Sequence, residues 1–379
     1  MKKTIILSLV TASTFINLLS ACSSNNQKRE TSSFEIEETA VSLPIFYTSK
    51  SRSLNEPPFH WNDISSNVKL IQLETINESL LSESIELVYE DENLIIIVDS
   101  RTNTILIFDS NGKFKSKIRK IGNGPGDYGH LTYVTFDVDN STILVFDNGN
   151  QKIISYDLNG IHISSKSTNG KIKGNVLLID KGKIITINAS GEYQISLFDS
   201  DLNILEEYLP FESNFTDQDK STTLLSCARG RTKEYVVLNN IFCDTIYSFS
   251  TTSHSPIAIF DKGGKELPKK DLGTFLSVIR QENSYILTRG VTRFSHFLLI
   301  RHVYQGSYIT TLWDYQNNKV LAESKIGMGF PYKLDSGKSI NIFPTYLTER
   351  KLAFFIPAAD LPHIDDEDNP MLLIMEIND

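Results

Sequence analysis

Short runs of alternating apolar and polar residues recur along most of the chain, separated by turns rich in Asp, Asn and Gly. Runs of this length, rich in β-branched and aromatic residues, predict strands, and the turn formers between them predict hairpins. Residues 121–160 carry the pattern most clearly. A Gly-rich loop (Gly122, Gly124, Pro125, Gly126) leads into runs at 133–137, 142–146 and 153–156. Against the segment before it, Asp99 falls on Asp147, Asp109 on Asp157 and Gly112 on Gly160, all at a spacing of 48 residues.

The same unit is written several times. A first copy has runs at 85–89, 94–98, 104–108 and 113–118; the second ends with 161–165. Looser copies follow at 175–179, 183–188, 193–198 and 204–209, then at 222–228, 234–239, 244–248 and 255–260. A fifth set has 284–289, 296–302, 308–313 and 319–324, and the last has three runs, 340–346, 351–356 and 371–376. Four sets place an aromatic-Asp pair at the end of the third run: Phe108-Asp109, Tyr156-Asp157, Phe198-Asp199 and Trp313-Asp314. The aromatic is expected to pack between sheets and the Asp to cap the turn by accepting backbone N–H bonds.

Repeats of about 40 to 50 residues, each a four-stranded meander, are the signature of a β-propeller. The expected fold is all-β: six blades of four antiparallel strands over residues 66–379, the last blade completed by an N-terminal strand at 68–73. That pairing would close the ring and leave no open joint.

Residues 1–22 read differently. Lys2 and Lys3 precede an apolar stretch, 5–19, that ends Leu19-Ser20-Ala21-Cys22. This is a secretory signal, too short and too rich in Ser and Thr for a membrane span. Leu-Ser-Ala-Cys resembles the lipobox of bacterial lipoproteins, which implies lipidation of Cys22. Ser23 in place of Asp resembles outer-membrane rather than inner-membrane sorting, and no acidic cluster near Cys22 marks export to the cell surface, so the periplasmic face is expected. Residues 23–65 form a polar tether and an extended lead-in. The net charge of −9 and pI near 5.4 speak against nucleic-acid binding. Cys227 and Cys243 lie on neighbouring runs and are open to two readings, a disulfide or two buried thiols.

The loop Gly122-Asn-Gly-Pro-Gly-Asp-Tyr128 and the later Val145-Phe-Asp-Asn-Gly-Asn-Gln-Lys-Ile153 resemble an NHL-type repeat. With the lipobox, Leu70-Ile-Gln-Leu-Glu-Thr75, Cys243-Asp-Thr-Ile-Tyr247 and Phe260-Asp-Lys-Gly-Gly264, most of the chain resembles the six-bladed β-propeller lipoproteins of Bacteroidetes. The resemblance implies a propeller on a lipid anchor and implies no reaction.

In a propeller the crossings between blades and the turns joining second and third strands share one face. There the expected ligand-binding residues are Arg101, Asn123, Asp127, Tyr128, His130, Asn148 and Asn150, joined from later copies by Arg293 and His302. Asn103, Gln151, Asn239, Asn240 and Tyr304 are placed on the same face. A concave, polar mouth is where a ligand binds on such a scaffold. The N–H groups of residues 122–126 can form an anion-binding nest; the glycines are equally explained by a tight crossing that needs positive φ. The seven histidines show no ligand spacing. Asp137-Val-Asp-Asn140 and Asp365-Asp-Glu-Asp-Asn369 are rich in oxygen donors but match no EF-hand loop. No catalytic residue, metal ligand or cofactor is assigned, and no GxSxG elbow occurs. The favoured function is a non-catalytic binding or scaffold propeller on the membrane, with a glycan, peptide or envelope protein as partner. The alternative is a calcium- or zinc-dependent hydrolase or lyase of the lactonase-like six-bladed type, an analogy of fold.

Overall fold

The computed structural model describes residues 43–48, 58–231, 235–240, 244–266, 285–325, 329–361, 364–365 and 367–378. The signal and tether with Cys22, and Cys243 with any pairing it makes, lie outside them.

The unit Pro44–Asp379 is a six-bladed propeller. Blade I has strands Ile85–Glu90, Leu94–Asp99, Thr104–Asp109 and Phe114–Ile118; blade II has Tyr133–Asp137, Thr142–Asp147, Lys152–Tyr156 and His162–Ser167. Blade III has Gly174–Asp180, Lys183–Asn188, Tyr193–Phe198 and Ile204–Pro210. Blade IV has Cys227–Arg231, Val236–Asn240, Thr245–Phe249 and His254–Asp261, and blade V has Leu287–Phe294, Phe297–Tyr304, Ser307–Asp314 and Lys319–Ser324. Blade VI takes Tyr346–Leu347, Lys351–Ile356 and Met371–Ile377 from the C-terminal end. Its fourth strand is Ser65–Gln72, paired antiparallel from Ser65 on Ile377 to Gln72 on Met371. The expected closure is observed.

The core follows from strand alternation. Each blade is apolar on both faces of its inner strands, and every joint between successive blades is filled by its own cluster. Ile96, Ile107 and Val145 serve blades I and II, Phe146 and Ile184 blades II and III, and Ile187 and Leu238 blades III and IV. Val237 and Ile300 join blades IV and V, and Leu299 and Phe354 join V and VI. Ile71, Leu106 and Leu372 seal blade VI to blade I. The aromatics of the aromatic-Asp pairs are all buried. Asp109, Asp157 and Asp199 each accept two backbone N–H bonds from the turn that follows, and those bonds hold the Asp109 and Asp199 carboxyls below the usual range.

Three stretches differ from expectation. Residues 222–228 do not form one strand, because helix Asp217–Ser226 runs into it. The Thr216 hydroxyl accepts the Asp219 N–H, and the Asp219 carboxylate accepts the Thr216 N–H, a capping box that starts the helix. Residues 340–346 are divided: Ser339–Ile342 pairs with Phe330–Lys333 in a separate hairpin, and only Tyr346–Leu347 joins blade VI. Pro344 between them has no N–H to give a ladder. The lead-in is also more than an extended cover. Ile45–Tyr47 adds a parallel fifth strand to blade IV, and Trp61 is fully buried between blades V and VI, its indole N–H donating to the Ile342 carbonyl.

Candidate functional site

An antiparallel meander sends its connections alternately to two ends. Crossings between blades and the turns joining second and third strands gather at one end, the loop end. Arg101, Asn123, Asp127, Tyr128, His130, Asn148 and Asn150 all lie there, around the crossing from blade I to blade II.

That crossing is satisfied internally. Tyr128 is fully buried; its hydroxyl donates to the Asn103 and Ile118 carbonyls at 2.9 and 3.1 Å, and burial pushes its phenol up to about 12. The Gly124 N–H donates to Asp127 Oδ2 at 3.1 Å, so the position an anion would take is filled by the loop's own carboxylate. Blade II holds the loop's carbonyls: Lys152 Nζ donates to Gly124 at 2.8 Å, the Tyr156 hydroxyl to Gly126 at 2.8 Å, and the Ser165 hydroxyl to Pro125. The buried Asp147 carboxylate takes the Gly129 N–H at 2.6 Å and the Asn150 amide at 2.8 Å. Asn148 accepts from the Gln151 amide. Arg101, Asn123 and His130 are exposed. None of Gly122, Gly124 and Gly126 has positive φ. They are small for another reason: a Cβ on Gly122 or Gly124 would stand 2.6 or 2.7 Å from Asp127 Oδ2, and one on Gly126 2.7 Å from the His162 ring.

Arg293 lies elsewhere. It ends the first strand of blade V, at the opposite end of the ring, where its guanidinium sits 4.1 Å over the Tyr235 ring and 3.5 Å from Glu349.

His302 is at the loop end, where blade IV crosses to blade V; of that crossing residues 262–266 and 285–286 are described. A cavity of about 410 Å³ lies among the described residues there. Phe46, Tyr47 and Thr48 of the lead-in strand form one wall, and Asp261, Lys262, Gly263 and Lys265 of the crossing another. Blade V supplies His302, Tyr304 and Ile309, with Glu323 and Lys325 at the rim. Strand alternation explains the placement: His302 and Ile309 are register partners on the face of blade V turned to blade IV, the face that also carries Ile300.

Several charged groups stand beside this cavity. Lys262 is 0 % exposed, with Nζ 3.5 Å from Asp244 Oδ1 and 5.6 Å from the centre of the Phe260 ring. Burial raises the Asp244 carboxyl, against the pull of Lys262. Lys265 Nζ sits 4.4 Å over the Tyr304 ring, and Asp261 accepts the Gly263 N–H at 2.8 Å. His302, 5 % exposed, is pushed down to about 4 by burial, with Lys262 adding to the shift. Its ring is therefore neutral at physiological pH, and among the described residues Nδ1 has no hydrogen-bond partner. Thr288, its register partner on the first strand, likewise has a buried hydroxyl without one.

Sequence reasoning singled out His302 and Tyr304 but missed Lys262, Lys265 and the wall from Phe46 to Thr48. The Asp-Lys-Gly-Gly run at 261–264 was a visible signal; the lead-in wall left none. Among the described residues no three His, Cys, Asp or Glu side chains converge to hold a metal ion. Nor, among the described residues, is any helix long and apolar enough to cross a membrane.

A model of the family described as Domain of unknown function (DUF4934) matches residues 48–376. Among solved structures, a Bacteroides fragilis protein described as expected to be exported is similar at 17 % identity and a TM-score of 0.65, over 89 % of this chain and 100 % of that one. A member of the DUF4221 family from Bacteroides vulgatus is 12 % identical with a TM-score of 0.49, over 83 % and 97 %. A catalytically inactive virginiamycin B lyase from Staphylococcus aureus, solved with quinupristin, is 11 % identical with a TM-score of 0.42, over 81 % and 99 %. At 17 % identity the likeness to the Bacteroides fragilis protein is one of fold. No curated protein matches the chain.

Proposed function

The chain belongs to the DUF4934 family, and we propose that it is a lipid-anchored binding propeller of the cell envelope, without a catalytic role, that takes its ligand at the loop end. The observation that supports the reading is the cavity of about 410 Å³ at the loop end of blades IV and V, walled by Phe46, Tyr47 and Tyr304 and edged by Lys265 and Asp261. The size falls within the range of small-molecule sites, about 300–1,000 Å³. A glycan, a peptide or another envelope protein is the partner class for such a loop end.

The anchor rests on Leu19-Ser20-Ala21-Cys22 and the polar tract after it. Ser23 favours the outer membrane, and the absence of an acidic cluster near Cys22 favours its periplasmic face. Fractionation of cells carrying Cys22→Ala tests this. The variant is expected in the soluble fraction and the wild type in the membrane fraction; a variant that stays with the membrane would remove the anchor from the proposal.

A further inference from the structure

We propose that the crossing from blade I to blade II is a docking surface for an acidic saccharide, whose carboxylates bond to Arg101, Arg119 and Lys120 and whose hydroxyls bond to Asn123. The inference rests on the reading above, that the loop end takes a ligand, and uses none of the blade IV–V cavity.

The backbone brings these cations together. Arg119 Nε donates to the Thr102 carbonyl at 3.3 Å, which sets Arg119 beside the turn that carries Arg101. The Tyr128 N–H donates to the Lys120 carbonyl at 2.7 Å and the Tyr128 hydroxyl to the Asn103 carbonyl at 2.9 Å, so one buried residue ties Lys120 to the same turn. All three cations are exposed, and among the described residues the side chains of Arg101 and Lys120 make no bond.

The acids of this region are engaged elsewhere. Asp99 and Asp147 are fully buried; Asp99 accepts the N–H groups of Ser82, Arg101 and Thr102, and Asp147 accepts those of Gly129 and the Asn150 amide. Asp127 accepts the Gly124 N–H. Glu83 is exposed on the adjoining segment, where the Ser84 carbonyl takes the Ser100 N–H, but it pairs with none of the cations. Three cations without a carboxylate partner, in a chain of net charge −9, favour a negatively charged occupant.

The chemistry around them selects its class. A guanidinium takes a carboxylate through paired N–H···O bonds. A peptide main chain binds by extending a ladder, whereas the carbonyls of this loop are already bonded to Lys152, Tyr156 and Ser165. A membrane surface would need several apolar contacts, and of the large apolar side chains in residues 118–131 only Ile121 is exposed. One such contact suits the apolar face of a single sugar ring. The exposed Asn123 amide, also without a bond among the described residues, can donate to and accept from hydroxyls.

The test is calorimetric titration of the full chain with digalacturonate and trigalacturonate, beside neutral galactobiose, triglutamate and phosphatidylglycerol vesicles. The galacturonates are expected to bind, more weakly as salt is raised, and galactobiose is not. Affinity is expected to fall roughly tenfold when Arg101→Gln and Arg119→Gln are combined, and severalfold in Lys120→Gln or Asn123→Ala. Arg101→Gln alone serves if the combined variant does not fold. Tyr47→Ala, in the wall of the blade IV–V cavity, is expected to leave the affinity unchanged. Should triglutamate or the vesicles bind through the arginines and the galacturonates not, the saccharide is overturned while the loop-end reading stands. Should galacturonate affinity survive the arginine variants, the docking surface is overturned; a fall in Tyr47→Ala would then place the ligand in the cavity. Should no probe bind, the docking surface is overturned and the loop-end reading rests on the cavity alone.

Discussion

The crossings from blade I to II and from blade IV to V occupy the same topological position and are built in opposite ways. At the first, the less exposed groups are spent on the protein, Asp127 on Gly124, Tyr128 on two carbonyls, Asp147 on Gly129 and Asn150, while Arg101, Asn123 and His130 stay exposed. At the second, a cavity remains among the described residues and a strand from the lead-in walls it. The regular repeat is where polar residues are structural, because a repeating turn must satisfy its own backbone each time. A departure from the repeat is not held to that rule.

Removing Asp147 should break the closed crossing hardest. Asp147→Ala leaves the part-buried Gly129 N–H and Asn150 amide without their carboxylate acceptor, an expected loss of about 2 kcal/mol in chemical denaturation. A loss below about 1 kcal/mol would mean that water replaces the carboxylate and the crossing is not closed.

The open crossing should instead respond to pH. His302 has a folded pKa of about 4 against an ordinary 6.5, so between these values the unfolded chain binds more protons. Its contribution is therefore present above pH 6.5 and is lost as pH falls towards 4, about 2 kcal/mol of it by pH 5. His302→Leu should flatten the stability profile over that window; an unchanged slope would assign the acid sensitivity to other groups.

The smallest effect sharpens the contrast. Tyr128→Phe removes one hydroxyl that donates to two carbonyls, and should cost about 1 kcal/mol while leaving any ligand affinity at the blade IV–V crossing unchanged. A change in affinity would show that the two crossings are coupled through the ring.

Some of the differences from expectation were within reach of the sequence. Thr216-Asp217-Gln218-Asp219 is a capping signal, and Pro344 forbids one continuous strand at 340–346. Arg293 falls in the connection between the first and second runs of its set, and alternation alone sends that connection to the opposite end. The three-residue strand Ile45–Tyr47 was not within reach, since so short a run has no period and its partner, residues 259–261, lies some two hundred positions away.

What the sequence determined by itself was the repeat: period-two alternation, turn residues at fixed offsets, the buried aromatic and the capping Asp, and an N-terminal strand left over to complete the last blade. These are local rules, each enforced within a few residues. Which polar groups remain unpaired was decided only by the tertiary structure. Asp127 and His302 look equally promising in the chain, but the first is quenched by a glycine three residues away. The second is turned by blade V towards blade IV, and among the described residues its Nδ1 has no partner.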